Sequence, residues 1–208
     1  MINLIIKEFR SKWETLINNI NTTEQHEFHW CIMIDNSGSM SIYRNSIYEI
    51  LVILMELHRK LESKFAVARF GGRNNQKMLK NMADQFTIQD GQYVLEALTF
   101  DEGTYRATGL DNISNRVFGV FDKNKPSNPS VHRLVLMITD GLTHDNDDTT
   151  YTETIKKYDI NLGVLFIETA GQSTSQVLLR GLKTAQHRIV HANDINQSPK
   201  IITQLMHD

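Results

Sequence analysis

Residues 35–39, D-N-S-G-S, present a carboxylate and two hydroxyls at alternate positions, directly after an apolar run at residues 30–34. A short continuous apolar run is typical of a strand that is buried on both faces. A second apolar run, residues 133–139, also ends in an aspartate, Asp140, which Gly141 follows. If these strands pair side by side, the two carboxylates repel, and at least one must be protonated unless a cation joins them.

Carboxylate and hydroxyl oxygens are ligands that a hard ion such as Mg²⁺ accepts, in near-octahedral geometry at roughly 2.1 Å. Ser37 and Ser39 would supply neutral oxygens, and Asp35 and Asp140 would supply charge. No cysteine or histidine stands at this spacing to favour zinc. The pattern therefore favours a magnesium site, and the structural alternative is a turn in which the same side chains cap the next helix.

The elements that must position these residues follow from the hydrophobic pattern, in which apolar runs alternate with amphipathic segments. This alternation predicts an α/β fold: a doubly wound, mostly parallel, Rossmann-like sheet with helices on both faces. Ligands of such sheets bind at the carboxyl ends of the strands. Strands are predicted at 30–34, 65–70, 133–139, 161–168 and 187–191. Helices are predicted at 2–20, 45–62, 91–98, 110–121, 149–158, 173–182 and 194–206. The segments 77–82 and 85–89 are weaker candidates for a short edge strand.

The composition excludes several classes of function. The 208 residues carry a net charge of -2, and no basic run occurs, so neither nucleic acid nor an anionic membrane surface is an expected partner. The sequence contains no signal-peptide pattern and no apolar run of transmembrane length. Since the single cysteine, Cys31, lies in an apolar run, we expect a core residue and a cytoplasmic, reducing location.

Three motifs together resemble the von Willebrand factor type A (vWA) domain with its metal-ion-dependent adhesion site (MIDAS). They are D-x-S-x-S at residues 35–39, the threonine loop E-G-T-Y-R-A-T-G-L at 102–110, and T-D-G at 139–141. The resemblance runs from about residue 28 to the C-terminus. It implies a vWA-like domain at 28–208, preceded by an N-terminal helix and connector at 1–27.

The resemblance also implies the chemistry. In this family the ion would be held by Asp35, Ser37, Ser39, Thr104 and Asp140, with Thr108 as the alternative to Thr104. The expected ion is Mg²⁺, with Mn²⁺ or Ca²⁺ as substitutes. One coordination position would stay open for an aspartate or glutamate of a partner protein, which makes the chain a protein-interaction module and not an enzyme.

The sequence looks like the intracellular branch of the family because it lacks secretory marks. Residues 65–72 and 98–104 are similar to vWA domains that work with AAA+ ATPases, as in midasin or MoxR-associated proteins. The implied partner is therefore an AAA+ ATPase or the rest of a larger chain.

Two other functions compete with this interpretation. A haloacid-dehalogenase-like phosphatase would use Asp35 as nucleophile and Thr139 at the later strand end, but Ser37 stands where its general acid is needed. A scaffold domain would hold a purely structural metal. Nucleotide hydrolysis is not expected, since no G-x-x-x-x-G-K loop occurs.

Some charged residues near the motifs have no assigned role. Asp101 and Glu102 are interpreted as solvated loop acids, although one of them could reach the ion. The H-D-N-D-D segment, residues 144–148, is interpreted as a solvated loop. Arg69 is unusual within a strand and is expected at its exposed end or paired with a carboxylate.

Overall fold

The computed structural model describes residues 26–121, 130–145, 148–168 and 186–191, together with Lys7 and Ser11, two isolated positions that are helical. The predicted helices at 173–182 and 194–206, and the rest of the predicted N-terminal helix, lie outside these residues. Within the described part of the chain, no helix is both long and apolar enough to cross a membrane.

The protein is an α/β structure built on a six-stranded sheet of order β3-β2-β1-β4-β5-β6. All neighbouring strands are parallel except β3, which is antiparallel to β2. The strands are β1 His26–Asp35, β2 Lys64–Phe70, β3 Lys77–Lys80, β4 Ser130–Thr139, β5 Ile160–Glu168 and β6 Gln186–His191. The helices are α1 Arg44–Lys60, α2 Ile88–Glu96, α3 Arg106–Phe118 and α4 Asp148–Tyr158, and a 3₁₀ helix, Gly38–Tyr43, precedes α1.

The central strand β1 is buried on both faces, as its continuous apolar run predicts. Trp30, Ile32 and Ile34 belong to a core that α1 and α2 cover, whereas Cys31 and Met33 belong to a second core under α3 and α4. Cys31 is completely buried, and burial raises the pKa of its thiol to about 12. It is therefore a small core residue and not a reactive thiol.

The strand order reverses between β1 and β4, and these two strands lie side by side in parallel, with Ile34 opposite Ile138. Their carboxyl ends therefore meet at one edge of the sheet, as the sequence predicts. This reversal is the topological switch point at which open parallel sheets bind ligands.

Two predicted helices begin at the wrong residue. Helix α2 begins at Ile88 instead of residue 91, because Thr87 and Asp90 form a reciprocal capping box. Helix α3 spans Arg106–Phe118 instead of 110–121. Of the two weak segments, 77–82 contains β3, but 85–89 forms no strand because the Thr87 cap divides it.

Helix α3 approaches strand β2 closely through Gly109. A Cβ added at Gly109 would lie 2.8 Å from the Cβ of Phe70 and 3.1 Å from its Cγ, and both atoms belong to the rigid base of a fully buried side chain. Only glycine fits there, and this contact fixes the distance between α3 and the end of β2.

We expect Gly109→Ala to destabilise the fold by about 1–2 kcal/mol, because overpacking outweighs the better helix propensity of alanine. Urea unfolding at equilibrium measures the change. Asn115→Ala, at an exposed position of the same helix, is the control and should change stability by less than about 0.5 kcal/mol. Equal stability of the Gly109→Ala variant and the wild type would contradict the close approach.

Candidate metal centre

A cavity of about 370 Å³ opens at the carboxyl edge of the sheet. Three of the predicted ligands, all with hydroxyl groups, are among its lining residues: Ser37, Ser39 and Thr104. The remaining lining residues come from the same loops and from the loop after β4: Gly38, Glu102, Gly103, Leu142, Thr143 and His144. The fold thus brings together three segments that are far apart in the sequence.

The two serine hydroxyls are spaced as ligands of one ion would be. The Oγ atoms of Ser37 and Ser39 form a hydrogen bond of 3.1 Å, and this separation is close to the roughly 3.0 Å between adjacent ligands of an octahedron with bonds of about 2.1 Å. Ser37 precedes the 3₁₀ helix but makes no capping hydrogen bond through its side chain. The Ser37 hydroxyl is therefore not used as a helix cap, whereas Asp35 does form the turn of the alternative interpretation, because its Oδ1 accepts a hydrogen bond from the Ser37 N–H two residues later.

Asp35 lies at the base of the site and is completely buried. Its Oδ1 accepts a hydrogen bond of 2.9 Å from the Ser37 backbone N–H, and its Oδ2 accepts one of 2.6 Å from the Thr139 hydroxyl. Burial raises the pKa of Asp35 to about 6, the hydrogen bonds oppose this rise, and the nearby charge of Asp140 adds to it. Burial, and not repulsion between the two aspartates, is thus the main cost of ionising Asp35, and a cation in the cavity would lower that cost.

Asp140 begins the loop that follows β4. Its Oδ1 accepts a hydrogen bond of 3.0 Å from the Leu142 N–H, and its own N–H donates to the sulfur of Met40 at 3.1 Å. Neither Asp140 nor Asp35 is among the residues that line the cavity. Of the five predicted ligands, three are therefore lining residues of the cavity, and the two aspartates are not.

The threonine loop is held against the D-x-S-x-S loop by main-chain hydrogen bonds. The N–H of Gly38 donates to the carbonyl oxygen of Glu102 at 2.9 Å, and the N–H of Glu102 donates to that of Asn36 at 3.2 Å. The buried Asn36 side chain accepts a third hydrogen bond, of 2.9 Å, from the N–H of Phe100. These contacts place Thr104 beside the two serines.

The structure distinguishes between the two candidate threonines by position. Thr104 lines the cavity and is 5% exposed. Thr108 lies within α3, is not among the lining residues, and donates its backbone N–H to Asp145 at 2.8 Å. Among the described residues no group of three or more His, Cys, Asp or Glu side chains is arranged to hold a metal ion.

Solved structures provide the comparison. Proximal thread matrix protein 1 from the mussel byssus, in a structure with a zinc-occupied MIDAS motif, matches with a TM-score of 0.67 at 14% identity. BatB from Bacteroides thetaiotaomicron matches with a TM-score of 0.57 at 17% identity, and the match covers 86% of this chain and 97% of that one. An aerotolerance-related membrane protein from Bacteroides fragilis matches with a TM-score of 0.59 at 15% identity. This chain has the vWA fold.

The extent of these matches differs between the solved structures. The mussel match covers 88% of this chain and 48% of the mussel chain, so this chain spans about half the length of the mussel protein. The Bacteroides fragilis match covers 86% of this chain and 98% of the other. No protein-family model and no curated protein matches the sequence.

Asp145 has a role in this vWA domain that the sequence did not predict. Its carboxylate accepts hydrogen bonds from the backbone N–H groups of Ala107 at 3.2 Å and Thr108 at 2.8 Å, and from the Thr143 hydroxyl at 2.6 Å. Burial acts to raise the pKa of Asp145, but these hydrogen bonds outweigh it and the pKa is lowered. Asp145 therefore caps α3 from 37 residues away, which explains why α3 begins before its predicted start.

His144 lies in an exposed loop, as predicted, and it is also among the residues that line the cavity. Its N–H donates to the carbonyl oxygen of Thr104 at 2.9 Å, and its ring packs against Tyr105 with 5.4 Å between centroids. Of the acidic segment, residues 146 and 147 lie outside the described residues, and Asp148 begins α4. No sequence motif links this segment to the site; only the register of β4 brings it there.

Replacing Asp145 by alanine should destabilise the domain by about 1 kcal/mol at neutral pH, because the cap of α3 is lost. Since the pKa of Asp145 is lowered in the folded state, its contribution is complete at neutral pH and disappears as the pH falls through that pKa. Urea unfolding of wild type and variant at decreasing pH should therefore give converging stabilities. Glu153→Ala removes an exposed carboxylate from α4 and should show neither effect.

Proposed function

We propose that this vWA domain binds a divalent cation through Ser37, Ser39 and Thr104, with Asp35 and Asp140 supplying charge. The bound cation then recognises a carboxylate of a partner protein. The observation that carries the proposal is that three hydroxyl-bearing residues line one open cavity at the end of the strand that carries the buried Asp35. The domain acts as a protein-interaction module.

Mg²⁺ is the ion that this set of oxygen ligands favours, and Mn²⁺ or Ca²⁺ can substitute for it. The zinc-occupied MIDAS of the mussel protein supports a divalent ion at this position of the fold. The imidazole of His144 at the cavity wall is a nitrogen donor that would extend the range of ions to Zn²⁺.

The role of the partner follows from the neutral charge of the three proposed hydroxyl ligands, Ser37, Ser39 and Thr104. An ion that is held mostly by hydroxyls keeps much of its positive charge, and it therefore attracts an anionic oxygen to any open position. The proposed partner presents an aspartate or glutamate and is an AAA+ ATPase or another part of a larger chain in the cytoplasm.

Phosphatase chemistry at Asp35 has little physical support. A nucleophilic carboxylate must reach the substrate phosphorus, whereas Asp35 is completely buried. Its Oδ1 accepts a hydrogen bond from the Ser37 N–H, and its Oδ2 accepts one from the Thr139 hydroxyl. The scaffold alternative uses the same ion but no partner protein. An experiment is needed to distinguish it from the interaction function.

Calorimetric titration of the metal-stripped chain with Mn²⁺ and Mg²⁺ tests the metal site. We expect about one ion per chain, and we expect Ser39→Ala and Asp140→Asn each to weaken binding by at least about tenfold. Asp101→Asn is the matched control, because Asp101 is an exposed loop carboxylate that accepts a 2.5 Å hydrogen bond from Thr99 and does not line the cavity. Equal affinity in all four proteins would contradict the proposed ligands.

The open coordination position is tested with glutarate as a mimic of an acidic side chain. Glutarate should shift the amide NMR signals of the cavity loops only when metal is present, and the uncharged glutaramide should not shift them. If the metal stabilises the fold but glutarate has no metal-dependent effect, the scaffold alternative is correct and the interaction function is wrong.

A further inference from the structure

Glu102 is the one carboxylate among the cavity-lining residues, and its carboxylate oxygens contact Asn36, Arg69 and Gly72. Its Oε1 accepts a hydrogen bond of 3.1 Å from the Asn36 side chain and lies 3.1 Å from an Nη atom of Arg69. Its Oε2 accepts a hydrogen bond of 3.2 Å from the Gly72 N–H. Both oxygens of the Glu102 carboxylate therefore have partners near the carboxyl end of β2.

Arg69 is itself fixed in place. Its Nη1 donates to the carbonyl oxygen of Ala97 at 2.8 Å and to the hydroxyl of Thr99 at 3.1 Å, while Nη2 pairs with Glu102. The side chains of Arg69 and Glu102 are only 17% and 12% exposed, so solvent screens this ion pair less than a surface pair.

The backbone is shaped to accept the Glu102 side chain. A Cβ added at Gly71 would overlap the carboxylate of Glu102, so any larger residue at 71 would displace it. Gly71 also accepts a hydrogen bond of 3.0 Å from the N–H of Tyr105, next to Thr104. The end of β2 therefore holds the threonine loop and the glutamate together.

We infer that Arg69 is a positioning residue that holds the Glu102 carboxylate away from the cation and so keeps one coordination position open. This inference rests on the proposed function of the cavity. Glu102 and Thr104 are two residues apart in an extended loop, and both line the cavity. Without its partners, the flexible glutamate side chain would turn toward the ion and become an internal ligand. The partner's carboxylate would then be excluded.

The experiment compares Mn²⁺ binding by the full chain and by Arg69→Met. Water-proton relaxation of the Mn²⁺-loaded protein reports how many exchangeable waters the ion keeps. In Arg69→Met we expect lower relaxation at saturation, Mn²⁺ affinity increased about tenfold, and loss of glutarate binding. The double variant Arg69→Met/Glu102→Gln should restore the wild-type relaxation, because an uncharged amide is a weak ligand. A purely structural role of Arg69 would not produce this recovery.

Lys77→Met is the matched control. Lys77 lies opposite Arg69 in the β2–β3 pairing and carries the same charge, but its cation contacts the ring of Tyr93 instead of Glu102. This variant should bind Mn²⁺ and glutarate as the wild type does. If Arg69→Met fails to fold by circular dichroism, Arg69→Gln replaces it, since glutamine also removes the charge but keeps a hydrogen-bond donor.

The outcomes distinguish this inference from the proposed function. A wild-type chain that binds no Mn²⁺ overturns the proposed function and the inference with it. A wild-type chain that binds Mn²⁺ and glutarate, with unchanged relaxation in Arg69→Met, overturns the inference alone. Weaker Mn²⁺ binding in Arg69→Met that the second substitution does not correct also overturns it.

Discussion

The parallel pairing of β1 with β4 is the constraint on which the site depends. Because the strand order reverses at this pair, the two strand ends lie side by side, and the Thr139 hydroxyl can donate to the Asp35 carboxylate at 2.6 Å. A completely buried carboxylate is costly without partners. The neighbouring strand supplies one partner, and the turn after β1, through the Ser37 N–H, supplies the other. A shift of the β1–β4 register would remove the first hydrogen bond and move the loop of Asp140 away from the two serines.

The acids around the cavity share one arrangement: each accepts hydrogen bonds or ion pairs from groups of the protein. Asp140 accepts from the Leu142 N–H, Asp145 caps α3, and Glu102 pairs with Arg69. The hydroxyls of Ser37, Ser39 and Thr104 are neutral, although the carboxylate residue Glu102 lines the same cavity. Under the proposed function, the carboxylates attract a cation to the site while the neutral hydroxyls leave it open to a further anion. Since the same hydrogen bonds join the three loops, the position of each loop depends on the others.

The sequence predicted most of the sheet because buried strands leave an unbroken apolar run. The strands around Trp30 and around Val135 were found in this way, and the aspartate that follows each run located the site edge. The predictions failed where the deciding partner is distant or where a cap outweighs periodicity. Helix α3 begins at Arg106 because Asp145 caps it from another loop, and α2 begins at Ile88 because Thr87 and Asp90 cap it. The Asp145 cap of α3 cannot be predicted from a local pattern, because Asp145 is distant in the sequence. The capping box of α2 is present in the sequence as T-x-x-D, but the apolar periodicity does not indicate it.

The sequence by itself determined the alternation of strands and helices and the identity of the D-x-S-x-S, threonine and T-D-G segments. These features depend on local chemistry: side-chain volume, periodicity and the residue types that turns require. Only the tertiary structure decided that Thr104 and not Thr108 lines the cavity, that His144 joins it, and that Arg69 holds Glu102. Those outcomes depend on strand register and on contacts between residues such as Arg69 and Glu102, which lie 33 positions apart in the sequence. Such contacts form only when the sheet is assembled, so no local pattern encodes them.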